Sequence, residues 1–133
     1  MAAKFQLSYD PSTLAMVVLS QPAMFERTFL PFLAEQELDL VRDPVDQCML
    51  QTMATVTARH PAATVLHDFQ LLPSRRPAVL VQTAGHVAAA ARFLLPSEVP
   101  GLEGEQGKLF PVSHHPTWGG WFAIRAVIVF QDR

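Results

Sequence analysis

The sequence predicts an α+β fold, and three observations carry that prediction. Two apolar runs, Thr13 to Leu19 and Trp121 to Phe130, lack the alternation of a half-exposed strand, so each reads as a strand buried on both faces. Two other segments, Asp43 to Arg59 and Ala78 to Leu95, repeat apolar residues at helical spacing. The chain has 133 residues, half of them hydrophobic, which is enough for one core and one domain.

The totals also exclude functions. Charged residues make up 17%, against roughly 25% in an ordinary soluble domain. That shortfall implies a surface partly covered by a ligand, a partner or further chain. The formal charge is -2 with no basic block, so nucleic acid is not the expected partner. Cys48 is the single cysteine, which excludes an internal disulfide and fits a reducing compartment. The opening residues, Met1 to Gln6, lack an apolar signal core, and no stretch nears the ~18 apolar residues of a membrane span. A cytoplasmic location is the resulting expectation, without membrane association.

Taken in order, Phe5, Leu7 and Tyr9 alternate as a short half-buried strand, turned back by Asp10-Pro11-Ser12. The buried strand Thr13 to Leu19 follows. Ser20 then reads as a helix cap, with Pro22 in the first turn. Phe25, Phe29, Phe32 and Leu33 form the apolar face of that helix, and Pro31 should kink or end it. Glu35 to Arg42 reads as a charged linker with a short strand at Leu38 to Val41. Asp43-Pro44-Val45-Asp46 starts a second helix: a cap, a proline in the first position and an acid near the positive end agree. Val45, Met49, Met53 and Val56 are its buried stripe, and Arg59-His60-Pro61 ends it. Thr64 to Leu72 is the next strand, and Pro73 to Pro77 a rigid loop whose Arg75 and Arg76 are either solvated or placed to contact a phosphate or carboxamide.

Ala78 to Leu95 is read as one helix. Leu80, Ala84, Val87, Ala88 and Ala91 share one face, and Gln82, His86, Ala89 and Phe93 the other. A solvent face would carry several charges, yet this stretch holds only Arg92. The second face is therefore also covered, by the protein itself around a satisfied core histidine or by something broad lying on the small residues. Residues 96–112 read as a long flexible loop anchored at Leu109-Phe110.

The densest signal is His114-His115-Pro116-Thr117-Trp118-Gly119-Gly120-Trp121-Phe122-Ala123-Ile124-Arg125. Two glycines at the mouth of a strand allow a backbone or a flat ligand to come close. Arg125 cannot shed its charge, so burial requires an anion or several acceptors. No His-x-x-x-His, Cys-x-x-Cys or acidic cage accompanies the histidines, so no metal site is expected. Neither a nucleophile elbow nor a dinucleotide-binding turn is present. His86-Val87-Ala88-Ala89 only half resembles the His-x-x-Gly of some cobalamin domains.

Several blocks together resemble one family. They are Thr13-Leu14-Ala15 with Leu19-Ser20, Pro22 to Phe25, Asp43 to Cys48, Arg75-Arg76-Pro77, Gln82-Thr83-Ala84 with His86-Val87-Ala88, and His115-Pro116 with Gly119 to Arg125. In order and spacing they are similar to the methylmalonic aciduria and homocystinuria type C family, cytosolic proteins that process cobalamin. The resemblance implies a flavin nitroreductase-like sandwich: a central, largely antiparallel sheet with helices, here truncated at both ends because the family chain is longer. It implies cobalamin bound with its nucleotide tail off the metal, and reductive removal of the upper axial ligand. Cyanocobalamin would lose cyanide to a reduced flavin, FMN or FAD, with NADPH as electron source. Alkylcobalamins would be dealkylated by glutathione thiolate.

By position, the resemblance places the corrin against Asp68, Val79, Leu80, Val81, Gln82, Phe93, Leu94, Leu95, Ser113, Gly119, Gly120 and Ile124. Arg125 would hold an anion such as a glutathione carboxylate, and His86 would be a pocket residue. A cobalamin-trafficking protein is the implied partner, with the chain a monomer or weak homodimer. The departures, Phe93-Leu94-Leu95 and Ala89 among them, keep a second reading open: a shortened chain that binds or escorts cobalamin without turnover.

Overall fold

The computed structural model describes residues 9–104 and 109–131. Among them, β1 (Leu14–Ser20) leads to a π-helical turn (Phe25–Phe29) that runs into α1 (Leu30–Ala34). A 3-10 turn (Leu38–Leu40), α2 (Pro44–Thr57), β2 (Ala63–His67) and α3 (Val81–Val87) follow. The chain closes with β3 (Arg92–Leu94), a 3-10 turn (Pro96–Glu98), β4 (Val112–His114) and β5 (Ala123–Phe130).

β5 is the spine. It lies between β1 and β2 and pairs antiparallel with both. One face of this sheet takes Met53 of α2 against Ala126 and Ile128, with Val18 and Val65 beside them. The other packs Leu66, Val127 and Val129 against Val17, Val79 and Ala84 of α3. The result is a helix–sheet–helix sandwich, α+β as the sequence predicts. Both faces are covered, so Ala126 to Val129 stay apolar without alternating, and Ala126 is 0% exposed. A third cluster joins Phe29 and Phe32 to Cys48 and Met49, fixing the first helical segment on α2.

β5 carries one irregularity. Val18 pairs with Ala126 but Leu19 pairs with Ile124, so Arg125 is an extra residue in the strand. Such a bulge reverses which face the following side chains take. Ile124 thereby joins the α3 side, where its Cδ1 would lie 2.7 Å from a Cβ built on Gly85. Gly85 is what lets α3 come down onto the sheet.

The long helix predicted over Ala78 to Leu95 is shorter. α3 ends at Val87, Ala89 turns to φ 56, and Ala90 and Ala91 donate to the Gly85 carbonyl at 2.9 and 3.2 Å. Residues 92–94 are strand β3, paired with β4, so Phe93 and Leu94 are not helical. Alanine's helix preference predicted continuation, and cross-strand pairing overrides it. Ser20 is not a cap; it closes β1 and turns its hydroxyl to Arg125. The expected strand at Leu38 to Val41 is a 3-10 turn. Val56 is exposed, and Cys48 takes its place in the buried stripe. The strand expected over Thr64 to Leu72 stops at His67. Asp43 precedes α2 in a left-handed conformation, and its side chain makes no capping bond. Pro31 does not end the helical run: it sits in the first turn of α1, where no N–H is needed. Phe110 is 92% exposed and anchors nothing. Of the strand predicted at Phe5 to Tyr9, residues 5–8 lie outside the described residues; Tyr9 packs beside the sheet core.

The Gly85 contact gives a test. Gly85→Val should lower stability by about 1–3 kcal/mol through overpacking. Gly85→Ala should be near neutral, because the atom it meets is the free end of Ile124 and helix propensity returns about 0.5–1 kcal/mol. The urea midpoints of the two variants check this.

Candidate functional site

Two open clefts flank the segment that follows the paired glycines. The first, of about 470 Å³, lies between the start of α3 (Val81, Gln82) and the segment Pro111, Val112 and Ser113. Its floor is Gly120, Phe122, Ala123 and Ile124. The second, of about 440 Å³, shares Gly120, Phe122 and Ala123 with the first. Its other walls are Phe25, Phe29, Val45 and Trp121, with Arg125 and Ser20 at one end. Adding a Cβ at Gly120 meets nothing within 4 Å, so this shared wall is low and open.

The turn before the wall is braced internally. His115 and Gly119 exchange both backbone hydrogen bonds, at 2.8 and 2.9 Å, and Gly119 takes φ +59. The Nδ1 of His115 accepts from the N–H groups of Thr117 and Trp118, at 3.0 and 3.3 Å, and its ring stacks on Trp118 with centroids 4.2 Å apart. His115 therefore organises the turn. Gly119 shapes it and lines neither cleft.

Arg125 is half-buried. Its Nε donates to Ser20 Oγ at 2.9 Å, and its carbonyl accepts from the Asp68 N–H at 2.9 Å. Among the described residues no carboxylate lies within 4.0 Å of its guanidinium; the one ion pair is Arg92–Glu98. The acids nearby act at longer range. Burial raises the Asp46 carboxyl, helped by the charges of Asp68 and Asp43, while Arg125 and His67 pull it back down. Burial also raises the Cys48 thiol. Cys48 stays a protonated thiol inside the core and lines neither cleft.

The expected site residues divide into groups. Val81, Gln82, Ser113, Gly120 and Ile124 meet in the first cleft. Phe93 pairs with Ser113 and Leu94 with Val112 across β3 and β4, which sets them behind its rim. Leu95 follows, its N–H bound by Glu98 Oε2 at 2.8 Å. Leu80 is exposed just before α3, whereas Val79 packs under the sheet. Asp68 sits one residue past β2 and is tied to Arg125 rather than to the first cleft. His86 Nδ1 accepts from the Phe93 N–H at 3.1 Å, and the ring lines a separate concavity.

Sequence reasoning missed two residues here. Ser20, the acceptor for Arg125, is 105 positions away and becomes visible only once β1 and β5 are paired. His67 is buried at the end of β2, stacked on Phe69, and its Nδ1 has no partner among the described residues. A histidine at the end of an apolar run was its only signal.

Comparison with known proteins fits this arrangement. All of residues 1–133 match the family model for methylmalonic aciduria and homocystinuria type C. The chain belongs to that family. It is 43% identical over 135 residues to the zebrafish (Danio rerio) cyanocobalamin reductase / alkylcobalamin dealkylase, covering 99% of this chain and 54% of that protein. The human protein of the same name is 40% identical over 127 residues, covering 94% of this chain and 45% of the relative. A crystal structure of the Caenorhabditis elegans B12-trafficking protein CblC superposes with a TM-score of 0.77 at 32% identity, over 98% of this chain and 57% of that one. The chain thus spans about half the length of the relatives it matches.

His67 gives a pH test. Burial lowers its pKa below the ordinary histidine value of 6.5, against the opposing pull of Asp68 and Asp46. Its folded value therefore lies below its unfolded one. The stability it contributes is complete above the unfolded pKa and is lost as pH falls through the folded value. Between pH 7.5 and 5, the wild-type urea midpoint should fall more steeply than that of His67→Gln.

Proposed function

We propose that this chain binds cobalamin with its nucleotide tail off the metal and removes the upper axial ligand. In this reading the corrin rests in the first cleft, and the reductant enters the second. The observation that carries the reading is the pair of clefts meeting over Gly120, Phe122 and Ala123: two ligands lodged in them would touch across a wall without side chains at Gly120. A corrin is a flat ring rimmed by amides. Gln82 supplies a polar contact for those amides, and Ile124 and Val81 supply apolar surface for the ring.

The second cleft has walls suited to a flat or thiol-bearing partner with an anionic end. Phe25 and Trp121 are exposed aromatic surfaces, and Arg125 offers guanidinium donors that no carboxylate among the described residues has claimed. FMN or FAD, reduced by NADPH, would supply the electron that reduces the substrate cobalt as cyanide leaves. With glutathione, the thiolate would attack the alkyl carbon; the carbon–cobalt bond breaks, and its electron pair stays on cobalt. The chain's own part is placement: holding the ring, holding the anion and keeping the two faces together. The flavin nitroreductase-like architecture, a cytoplasmic setting and hand-over to a cobalamin-trafficking protein complete this reading. His86 and Phe93 belong to it as supports near the ring, through their mutual hydrogen bond, and Asp68 as a support of Arg125, whose carbonyl accepts its N–H.

Mixing the chain with cyanocobalamin, FMN, NADPH and a flavin reductase should give a tail-off visible spectrum and then cob(II)alamin faster than a protein-free control. A tail-off spectrum with cyanide retained would leave a binding or escort role instead. An unchanged spectrum would end the corrin assignment. Gln82→Ala should weaken cyanocobalamin binding about threefold to tenfold, the worth of one net hydrogen bond. Arg125→Ala should raise the KM for glutathione about tenfold or more and leave cyanocobalamin affinity unchanged. Ser20→Ala, which removes the Arg125 bond but keeps the cation, should retain most of that glutathione affinity.

A further inference from the structure

A third concavity, of about 520 Å³, opens beside the β3–β4 pair and belongs to neither cleft. It is lined by His86, Ala89, Ala91, Arg92, His114 and Pro116. Arg92 and His114 are direct cross-strand partners, so their side chains leave the same face of the two-stranded sheet. Phe93 and Ser113, the next pair, face the other way. His86 comes in from α3. Its Nδ1 is occupied as the acceptor of the Phe93 N–H, so the ring proton sits on Nε2 and is free to be donated.

Three donor groups from three elements thus converge on walls that are otherwise alanine and proline. Among the described residues, the acid that meets Arg92 is Glu98. It meets Arg92 at 3.5 Å, with side chains 65% and 40% exposed, well beyond the 2.7–2.9 Å of a strong charge-assisted bond. Its other oxygen is committed to the Leu95 N–H. Arg92 is therefore held loosely enough for a better anion to take it.

We propose that this concavity is a phosphate-binding subsite for a phosphorylated organic ligand. Donors arriving from three directions suit the terminal oxygens of a tetrahedral phosphoryl group better than a planar carboxylate. The apolar walls and the volume suit the organic body attached to it. Two ligands of the proposed reaction carry such a group, the flavin mononucleotide phosphate and the phosphodiester of the displaced cobalamin tail. The subsite itself can be tested without either.

The test is an imidazole ¹H–¹⁵N NMR titration with phenyl phosphate, and phenol as control. Phenyl phosphate should shift the His86 and His114 resonances and phenol should not. Arg92→Gln should weaken the phenyl phosphate response about tenfold. Glu98→Gln, which keeps an acceptor for Leu95 but removes the competing charge, should strengthen it. Equal responses to phenol and phenyl phosphate, or no gain with Glu98→Gln, would overturn the subsite. The source follows from matched pairs: FMN against riboflavin, and cyanocobalamin against dicyanocobinamide, which lacks the nucleotide. The pair in which Arg92→Gln weakens only the phosphorylated member identifies the ligand; if neither pair behaves so, the proposal fails. Loss of cobalamin binding alone, with the phenyl phosphate response intact, would count against the corrin cleft and not against this subsite.

Discussion

The bulge at Arg125 decides how a charged side chain can live in the most buried strand of the fold. In a regular strand Arg125 would alternate with Ile124 and Ala126 and share the face of Val127, inside the apolar layer beneath α3. Leaving a guanidinium there without partners costs several kcal/mol. The extra residue breaks that alternation: Ala126 keeps to the α2 side, Ile124 turns toward Gly85, and Arg125 reaches Ser20 at the open end of the sheet. The break leaves no carbonyl stranded, because Asp68 donates its N–H to the oxygen of Arg125. One inserted position therefore serves three ends at once. It places a cation, shapes the floor of the first cleft through Ile124, and ties the end of β2 to the centre of the sheet.

The charges around that end are balanced without being neutralised. Asp46, Asp68 and His67 all lie close enough to Arg125 to influence one another, yet none forms an ion pair with it among the described residues. Had Asp46 closed on the guanidinium, the cation would be satisfied within the protein and worth little to a ligand. Burial raises the Asp46 carboxyl, and Arg125 pulls it back down from beyond ion-pair distance. Ser20, a neutral acceptor, orients the side chain through Nε and leaves the two terminal nitrogens available to a ligand. The neutral anchor steadies the cation without neutralising it.

How far the sequence could be read depends on how local each cause was. α2 was legible because Asp43-Pro44 and the Met49/Met53 spacing act within a few residues of one another. β5 was legible because a strand covered on both faces leaves an unbroken apolar run; β1 was found by the same pattern, although its outer half, Leu14 to Met16, is exposed at the sheet edge rather than buried as expected. The α3 region was misread because four alanines favour a helix, whereas the pairing of Phe93 with Ser113 across 20 positions favours a strand, and the longer-range term prevailed. Ser20 was misread for the same reason. Before a proline-containing segment a serine looks like a cap, and only the long-range pairing of β1 with β5 shows it as an acceptor. The first cleft was legible in its residues, Gln82, Ser113, Gly120 and Ile124, but not in its walls, since Phe93 was expected on a helix and lies on a strand.

Part of the apolar surface that the low charge content leaves exposed lies at these clefts. Trp121 is 82% exposed and Phe25 is 54% exposed, and both edge the second cleft. Leu80 is exposed where α3 begins, beside the first. Exposed apolar groups scattered singly mean little, but Phe25 and Trp121 share one concave surface and Val112 lines the other. A surface of this kind is costly to leave wet and suits a broad, flat occupant whose own edges are polar. The clefts set on β5 keep a fixed separation, because the sheet beneath is packed on both sides and cannot yield on one without disturbing the other. The same double packing that makes the central strand look featureless in sequence is what gives the loop above it a fixed geometry.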